Sequence, residues 1–281
     1  MNDPTNNIHE SNQEGLTEVG STFENLCSID GLNCKYYTET EFASELATHK
    51  GLSFMHLNIA SLSKHFDSLN HLLDTLKGMN IVGVSETRIN KDNIKSSNFK
   101  IKGYNLLCHA TEAAAGGTAL YISEKLTFKP REDLSIAAYI PKLLESTFIE
   151  IESKKKANIV VGCFYKHPVM STREFNKDIM TNILNKINTE GKRLVLLGDF
   201  NINLLEYKVN NEVKNFVDIL QSNLIAPTIN LPTRISAQSS TLIDNIFISL
   251  FNSEIYAGNL LVGISDHMPQ VVIISNEFEK K

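Results

Sequence analysis

The stretch Leu194-Val195-Leu196-Leu197-Gly198-Asp199-Phe200-Asn201-Ile202 decides how this chain is read. The apolar run Leu194 to Leu197 is too short for a helix and follows the turn-like Glu190-Gly191-Lys192, so it reads as a buried strand. Asp199 and Asn201 then leave the C-terminal end of that strand on one side of the sheet. Open α/β sheets gather their reactive groups at this edge. The arrangement recurs along the chain. Ser85-Glu86-Thr87 follows the apolar run Ile81-Val82-Gly83-Val84, Asp244 lies within Ile243-Asp244-Asn245-Ile246-Phe247, and Ser265-Asp266-His267 comes near the C-terminus. Acids delivered at strand ends, with one Asp-His pair, are the parts that metal-assisted hydrolysis of a phosphodiester requires.

Composition limits the alternatives. A chain of 281 residues with 42% hydrophobic content can bury one large core. It has no apolar stretch long enough to span a membrane. The start, Met1-Asn2-Asp3-Pro4-Thr5-Asn6-Asn7, has neither the basic region nor the apolar core of a secretory signal, so an intracellular protein is expected. Cys27, Cys34, Cys108 and Cys163 form no CxxC pair, which argues against a zinc knuckle or a disulfide framework. The net charge of −5 counts against tight non-specific binding of DNA. It counts less against a metal enzyme, whose acids are neutralised in the working site.

Polar residues 1–22 read as a tail without fixed structure, and residues 23–50 as a short lead-in with a helix over Glu41 to His49 capped by Thr40. Residues 51–276 read as one domain. Strands are expected at Leu52–Leu57, Ile81–Val84, Thr118–Ile122, Phe148–Ile151, Ile159–Phe164, Leu194–Leu197, Ile243–Ile248 and Val271–Ile274. Helical spacing runs through Phe66 to Met79, Phe175 to Ile187 and Val213 to Leu220, with Gly78 closing the first. Several successive strands have no helix between them, which calls for mixed sheets. The fold class expected is α/β (α+β): two mixed sheets packed face to face, with helices outside. Gly116-Gly117 lacks the spacing and lysine of a phosphate loop and reads as a turn into a strand. Lys154-Lys155-Lys156 reads as a solvated hairpin tip.

Each candidate residue has a plain reading beside its chemical one. Glu86 alone is a loop acid; with the other strand-end groups it is a ligand for Mg²⁺. Asp199 and Asn201 could form a turn, but the apolar strand ahead of them favours Asp199 as the group that activates water and Asn201 as a phosphate contact. His267 needs a carboxylate to hold it charged, and Asp244 is the obvious partner. Its imidazolium would stabilise a pentacovalent transition state. Asp266 is either a second metal-side carboxylate or a structural cap. Tyr165 is a core aromatic or a hydroxyl on the scissile phosphate, and Asn58 a turn residue or a metal-side amide. Arg234 is a surface cation or a contact to backbone phosphate, and Thr241 caps a strand or bonds the phosphate.

These segments in their order resemble the endonuclease/exonuclease/phosphatase superfamily. The set is Leu57-Asn58-Ile59-Ala60-Ser61-Leu62, Ser85-Glu86-Thr87, Gly116-Gly117-Thr118-Ala119-Leu120-Tyr121, Tyr165 with Pro168, Gly198-Asp199-Phe200-Asn201, Thr241 to Phe247 and Ser265-Asp266-His267. Val161-Gly162-Cys163-Phe164-Tyr165 and Leu231-Pro232-Thr233-Arg234-Ile235 are more similar to the apurinic-endonuclease-like domain of non-LTR (LINE-type) retrotransposons. The resemblance implies a four-layer sandwich and Mg²⁺-dependent nicking of double-stranded DNA, with Mn²⁺ as a substitute. The nick leaves a 3′-hydroxyl for target-primed reverse transcription. It gives Glu86 the metal, with Asn58 as a metal-side helper. Asp199 takes the water, Asn201 and Tyr165 the phosphate, and Asp244 and His267 form the charge pair. Partners would be a reverse transcriptase or element RNA encoded elsewhere. A nuclear monomer with no membrane contact is expected.

The chain departs from the pattern at two places. Lys166-His167-Pro168 stands where Arg-Pro-Pro is usual, and the glycine run is one residue short. No reverse transcriptase follows, so a fragment, a truncated copy or a host-domesticated gene is expected. Two other functions compete: a phosphoesterase acting on a lipid, nucleotide or inositol phosphate, and a catalytically silent domesticated binding protein.

Overall fold

The computed structural model describes residues 33–91, 99–153, 156–249 and 254–275. The expected tail 1–22 and residues 154–155 of the lysine tip lie outside the described residues. The first sheet has seven strands in the order β1 (Asn33–Tyr37), β14 (Ile255–Leu260), β15 (Gln270–Ser275), β2 (Gly51–Asn58), β3 (Ile81–Ser85), β5 (Thr118–Ser123) and β4 (Tyr104–His109). The second has six, in the order β10 (Ala226–Pro227), β13 (Asp244–Ile248), β9 (Arg193–Asp199), β8 (Ile159–Lys166), β7 (Leu144–Ile151) and β6 (Phe128–Pro130). A two-stranded ribbon joins β11 (Arg234–Ile235) to β12 (Ser240–Thr241). Three neighbouring pairs run parallel: β1 with β14, β2 with β3, and β8 with β9. Both large sheets are therefore mixed, as the strands without intervening helices require.

Strand alternation sorts the core into layers. Leu52, Phe54, Leu120, Ile122, Val272 and Ile274 of the first sheet join the cluster built on the second sheet. Met55, Leu57, Val82, Val84, Val271 and Ile273 belong to a separate cluster with Phe42, Leu69, Leu72 and Leu73 of the helices Glu39–Thr48 and Leu62–Thr75. The outer side of the second sheet is covered by the helical run Thr172–Glu174, Phe175–Met180 and Thr181–Thr189 and by Asn211–Ser222. There Phe175 and Phe216 meet Phe200, and Phe164 lies against both Phe175 and Phe200. The result is helices, sheet, sheet, helices. Among the described residues no helix is long and apolar enough to cross a membrane.

Seven strands lacked a clear sequence signal: β1, β4 and β14, and the two- or three-residue β6, β10, β11 and β12. β4 is an edge strand and mostly half-exposed, with Asn105 and His109 interrupting its apolar residues. β1 is the opposite edge, and β14 carries Gly258 and Asn259. β1 and the helix Glu39–Thr48 fall in the expected lead-in, where β1 extends the first sheet by pairing with β14. The cap of that helix is Thr38 and not Thr40, because only Thr38 has a glutamate three residues on to complete a capping box with Glu41.

Gly198 shapes the edge that carries Asp199. A Cβ added there would collide with the carbonyl oxygen of Phe164 on the neighbouring β8. Gly198→Ala is expected to lower stability by about 1–3 kcal/mol through overpacking, read as a lower denaturant midpoint with an unchanged m-value.

Candidate active site

The site forms where both sheets end on the same side. In the second sheet Asp244 lies directly opposite Asp199, and Asp199 opposite Tyr165. In the first sheet Asn58 and Ser85 are partners at the last residues of β2 and β3, with Glu86 just beyond. Glu86 (φ 50°) and Asn201 (φ 46°) both adopt left-handed backbone, uncommon for glutamate and more readily adopted by asparagine. The glycine turn holds the first of these loops. The Arg88 N–H donates to the Gly116 carbonyl (2.8 Å) and the Thr87 N–H to the Gly117 carbonyl (3.2 Å). Gly117 in turn donates its N–H to the buried Glu145 carboxylate. The turn therefore clamps the Glu86 loop, a task its sequence did not reveal.

Asn58 joins the two acids. Its amide nitrogen donates to Asp199 Oδ2 (2.9 Å) and to Glu86 Oε1 (3.2 Å). The Tyr165 hydroxyl donates to the same Glu86 oxygen (3.1 Å). Arg88 Nη2 reaches the other Glu86 oxygen at 2.9 Å. The Asn201 backbone N–H donates to Asp199 Oδ1 (3.0 Å), while its side-chain amide donates to the Lys166 carbonyl (2.8 Å). Asp199 is 1% exposed, so its lone pairs are met by protein groups and not by bulk water.

The charge pair is built beside it. His267 Nδ1 lies 2.8 Å from Asp244 Oδ2, and the Thr233 hydroxyl donates to the same oxygen (2.7 Å). Ser265 ties this turn to β2, donating from Oγ to the Asn58 carbonyl at 2.6 Å and accepting from the His267 N–H at 3.1 Å.

Burial sets the electrostatics. It pushes the Asp199 carboxyl up, and the neighbouring Asp244 charge pushes further, to about 7. Burial works against a charged His267, but Asp244, Asp199 and Asp266 outweigh it and hold the imidazole at about 9. Tyr165 is raised by burial and by Glu86 and Asp199, so its hydroxyl keeps its proton. Lys166, buried at the end of β8, is pushed down to about 8 by burial, with Asp199 opposing.

The geometry thus brings together Asn58, Glu86, Tyr165, Asp199, Asn201, Asp244 and His267. Asp266 makes a two-pronged pair with Arg234, whose Nε and Nη2 lie 2.9 and 2.6 Å from Asp266 Oδ2. Thr241 sits opposite Arg234 in the ribbon and accepts the Thr233 N–H with its carbonyl. Thr233, Ser265, Lys166 and Gly117 were missed as single residues. Thr233 lay in the quoted Pro232-Thr233-Arg234, but only the tertiary fold brings its hydroxyl to Asp244.

The donor set fits a hard divalent cation. Glu86 and Asp199 offer carboxylate oxygens around one shared amide, and such cations take oxygen ligands. Asp199, Asp244 and His267 also bring one ligand-type atom each within 4.8 Å of one another. His267 and Asp244 are already bonded to each other, and a charged imidazole repels a cation. Glu86 with Asn58 is therefore the better seat.

Residues 55–267 match the Endonuclease/Exonuclease/phosphatase family, and the chain belongs to it. No curated protein matches the chain. Three solved structures show how widely the fold is shared. The AP endonuclease LMAP from Leishmania major is 13% identical with a TM-score of 0.63, over 91% of this chain and 98% of that one. The endonuclease domain of TRAS1, a telomere-specific non-LTR retrotransposon, is 14% identical with a TM-score of 0.59, over 79% and 98%. The Bacteroides thetaiotaomicron mannosyl-6-phosphatase Bt3783 is 12% identical with a TM-score of 0.55, over 79% and 99%.

In the metal-free protein His267 is expected to titrate near 9. Its folded value lies above the ordinary imidazole value, so the stability from the pair is full below about 6.5 and is lost as pH rises through about 9. Asp244→Asn removes the main opposing charge and lowers the His267 value, which histidine NMR titration reads directly. A His267 value unchanged in Asp244→Asn would contradict the pairing.

Proposed function

We propose that the chain is a divalent-cation-dependent endonuclease that nicks double-stranded DNA and leaves a 3′-hydroxyl. One observation carries the hydrolase reading: the buried facing acids Asp199 and Asp244, one tied to Glu86 through Asn58 and the other locked to His267. In this reading Asp199 accepts a proton from the attacking water. His267, its Nδ1 held by Asp244, presents Nε2 to the phosphoryl oxygens and offsets the charge that develops there. Tyr165 donates its hydroxyl to the same phosphate in exchange for its bond to Glu86. The Asn201 N–H keeps Asp199 turned toward the water. Glu86 and Asn58 would hold Mg²⁺ or Mn²⁺, which supplies positive charge beside the phosphate when bound. Asp266 is held by Arg234, which argues for a positioning part over a metal-side one. Arg234 reaches backbone phosphate by exchanging Asp266 for it, and Thr241 stands beside it in the ribbon.

The choice of DNA rests on the sequence resemblance to retrotransposon endonucleases. That resemblance also supports a monomer working in the nucleus, with a reverse transcriptase or element RNA as partner. A small phosphoester is the second reading, favoured by the net charge of −5. Supercoiled plasmid incubated with Mg²⁺, with and without EDTA, tests the first. Open-circle product is expected only with free metal. Asp199→Ala is expected to lose about 10²–10⁴-fold in rate, the usual share of a general base. His267→Ala is expected to lose about 10²–10³-fold. Near-normal nicking by Asp199→Ala would sink the mechanism, and an inert folded protein that cleaves soluble phosphoesters would favour the second reading.

A further inference from the structure

Behind Asp244 lies a second histidine. His56 is fully buried in β2, two residues before Asn58 and on the same face of the strand. It pairs in register with Gln270 of β15. Its Nδ1 is 2.7 Å from Gln270 Oε1, and its Nε2 is 3.0 Å from Ser85 Oγ. The Gln270 amide nitrogen donates to the Met268 carbonyl, which leaves Oε1 facing the ring. An amide oxygen only accepts, so the ring proton sits on Nδ1 and Nε2 accepts from the Ser85 hydroxyl. The ring is thus held from both ends in one tautomer.

That Nδ1 lies 4.0 Å from Asp244 Oδ1. Asp244 uses its two oxygens unequally. Oδ2 takes both His267 and Thr233, whereas Oδ1 is buried with no hydrogen-bond partner among the described residues. A buried acceptor without a partner is costly, and in a native protein it calls for an explanation. The His56 Nδ1–H donates to Gln270 Oε1, so the positive edge of the ring lies beside Asp244 Oδ1 without a hydrogen bond to it. A rotation of the carboxylate that brought Oδ1 forward would take Oδ2 away from His267.

We propose that His56, fixed by Gln270 and Ser85, is a positioning residue that holds the Asp244 carboxylate in the rotation that keeps Oδ2 on His267. The proposal deepens the hydrolase reading above and rests on it. His56 touches no substrate and acts through Asp244. Partners of this kind that orient a working group commonly matter about 10- to 100-fold in activity.

The test uses the full chain and four variants. In plasmid nicking, His56→Leu is expected to lower kcat about tenfold with KM unchanged. His56→Asn places an amide N–H near the Nδ1 position and restores most of that loss. In an Asp244→Asn background, His56→Leu adds no further loss, because its target is gone. The second readout is independent of turnover. The downfield proton resonance of His267 Nδ1–H is expected in the wild type, broadened by exchange in His56→Leu and recovered in His56→Asn. Should His56→Leu fail to fold, Ser85→Ala and Gln270→Met release the ring in place and are expected to broaden the same resonance. Equal losses in the Leu and Asn variants, additivity with Asp244→Asn, or an unchanged resonance would overturn the proposal. A wild type that cleaves no DNA defeats the endonuclease reading alone, and the resonance still decides the role of His56.

Discussion

Asp199 and Asp244 face each other across paired strands, both buried, and the rest of the site follows from making that tolerable. Like charges directly opposite in a sheet are destabilising, and burial worsens the penalty. The protein answers on both sides. On one, His267 carries a compensating positive charge held against Asp244. On the other, Asn58 and the Asn201 backbone donate to Asp199 but bring no charge. The Asp199 carboxyl accordingly stays well above the usual carboxylate range. In the proposed reading a cation held by Glu86 beside it would complete the balance.

The fold exists in part to deliver these acids to one place. Two mixed sheets end together, and each gives up its working residues at strand termini: Asn58 and Ser85 from one, Tyr165, Asp199 and Asp244 from the other. Close approach of the sheets needs small residues. A Cβ on Gly83 would collide with the Leu197 side chain, just below Asp199 in β9. The glycine turn at 116–117 works from outside, holding the Glu86 loop through two backbone hydrogen bonds. By contrast, the Arg234–Asp266 pair is half exposed, where an ion pair adds little to stability.

Much of this was legible in the sequence because the signal was local. An apolar strand followed by an acid marks Asp199 and Glu86 without any tertiary knowledge, and the sandwich follows from strands that succeed one another without helices. Asp244 and His267 could be paired only by chemical need, and the structure confirms that contact. What stayed hidden works across the fold. Gln270 is 214 positions from His56, and no periodicity links them. Thr233 had no reading of its own, because only the fold brings its hydroxyl to Asp244. Edge strands β1, β4, β6 and β10 were missed because among the described residues one side of each has no partner strand, so none needs an unbroken apolar run. The net charge of −5 includes the site's own buried carboxylates, Asp199 and Asp244, so it is not a measure of surface charge alone.

In the proposed reaction, water held by Asp199 attacks phosphorus in a DNA strand and the 3′-oxygen leaves. Cleavage of a defined duplex in ¹⁸O-labelled water with Mg²⁺, followed by mass spectrometry of the ends, tests it most directly. One ¹⁸O is expected in a new 5′-phosphate, with an unlabelled 3′-hydroxyl, and both products are expected to form about 10²–10⁴-fold more slowly in Asp199→Ala. A 3′-phosphate, or cleavage without label at phosphorus, would contradict it.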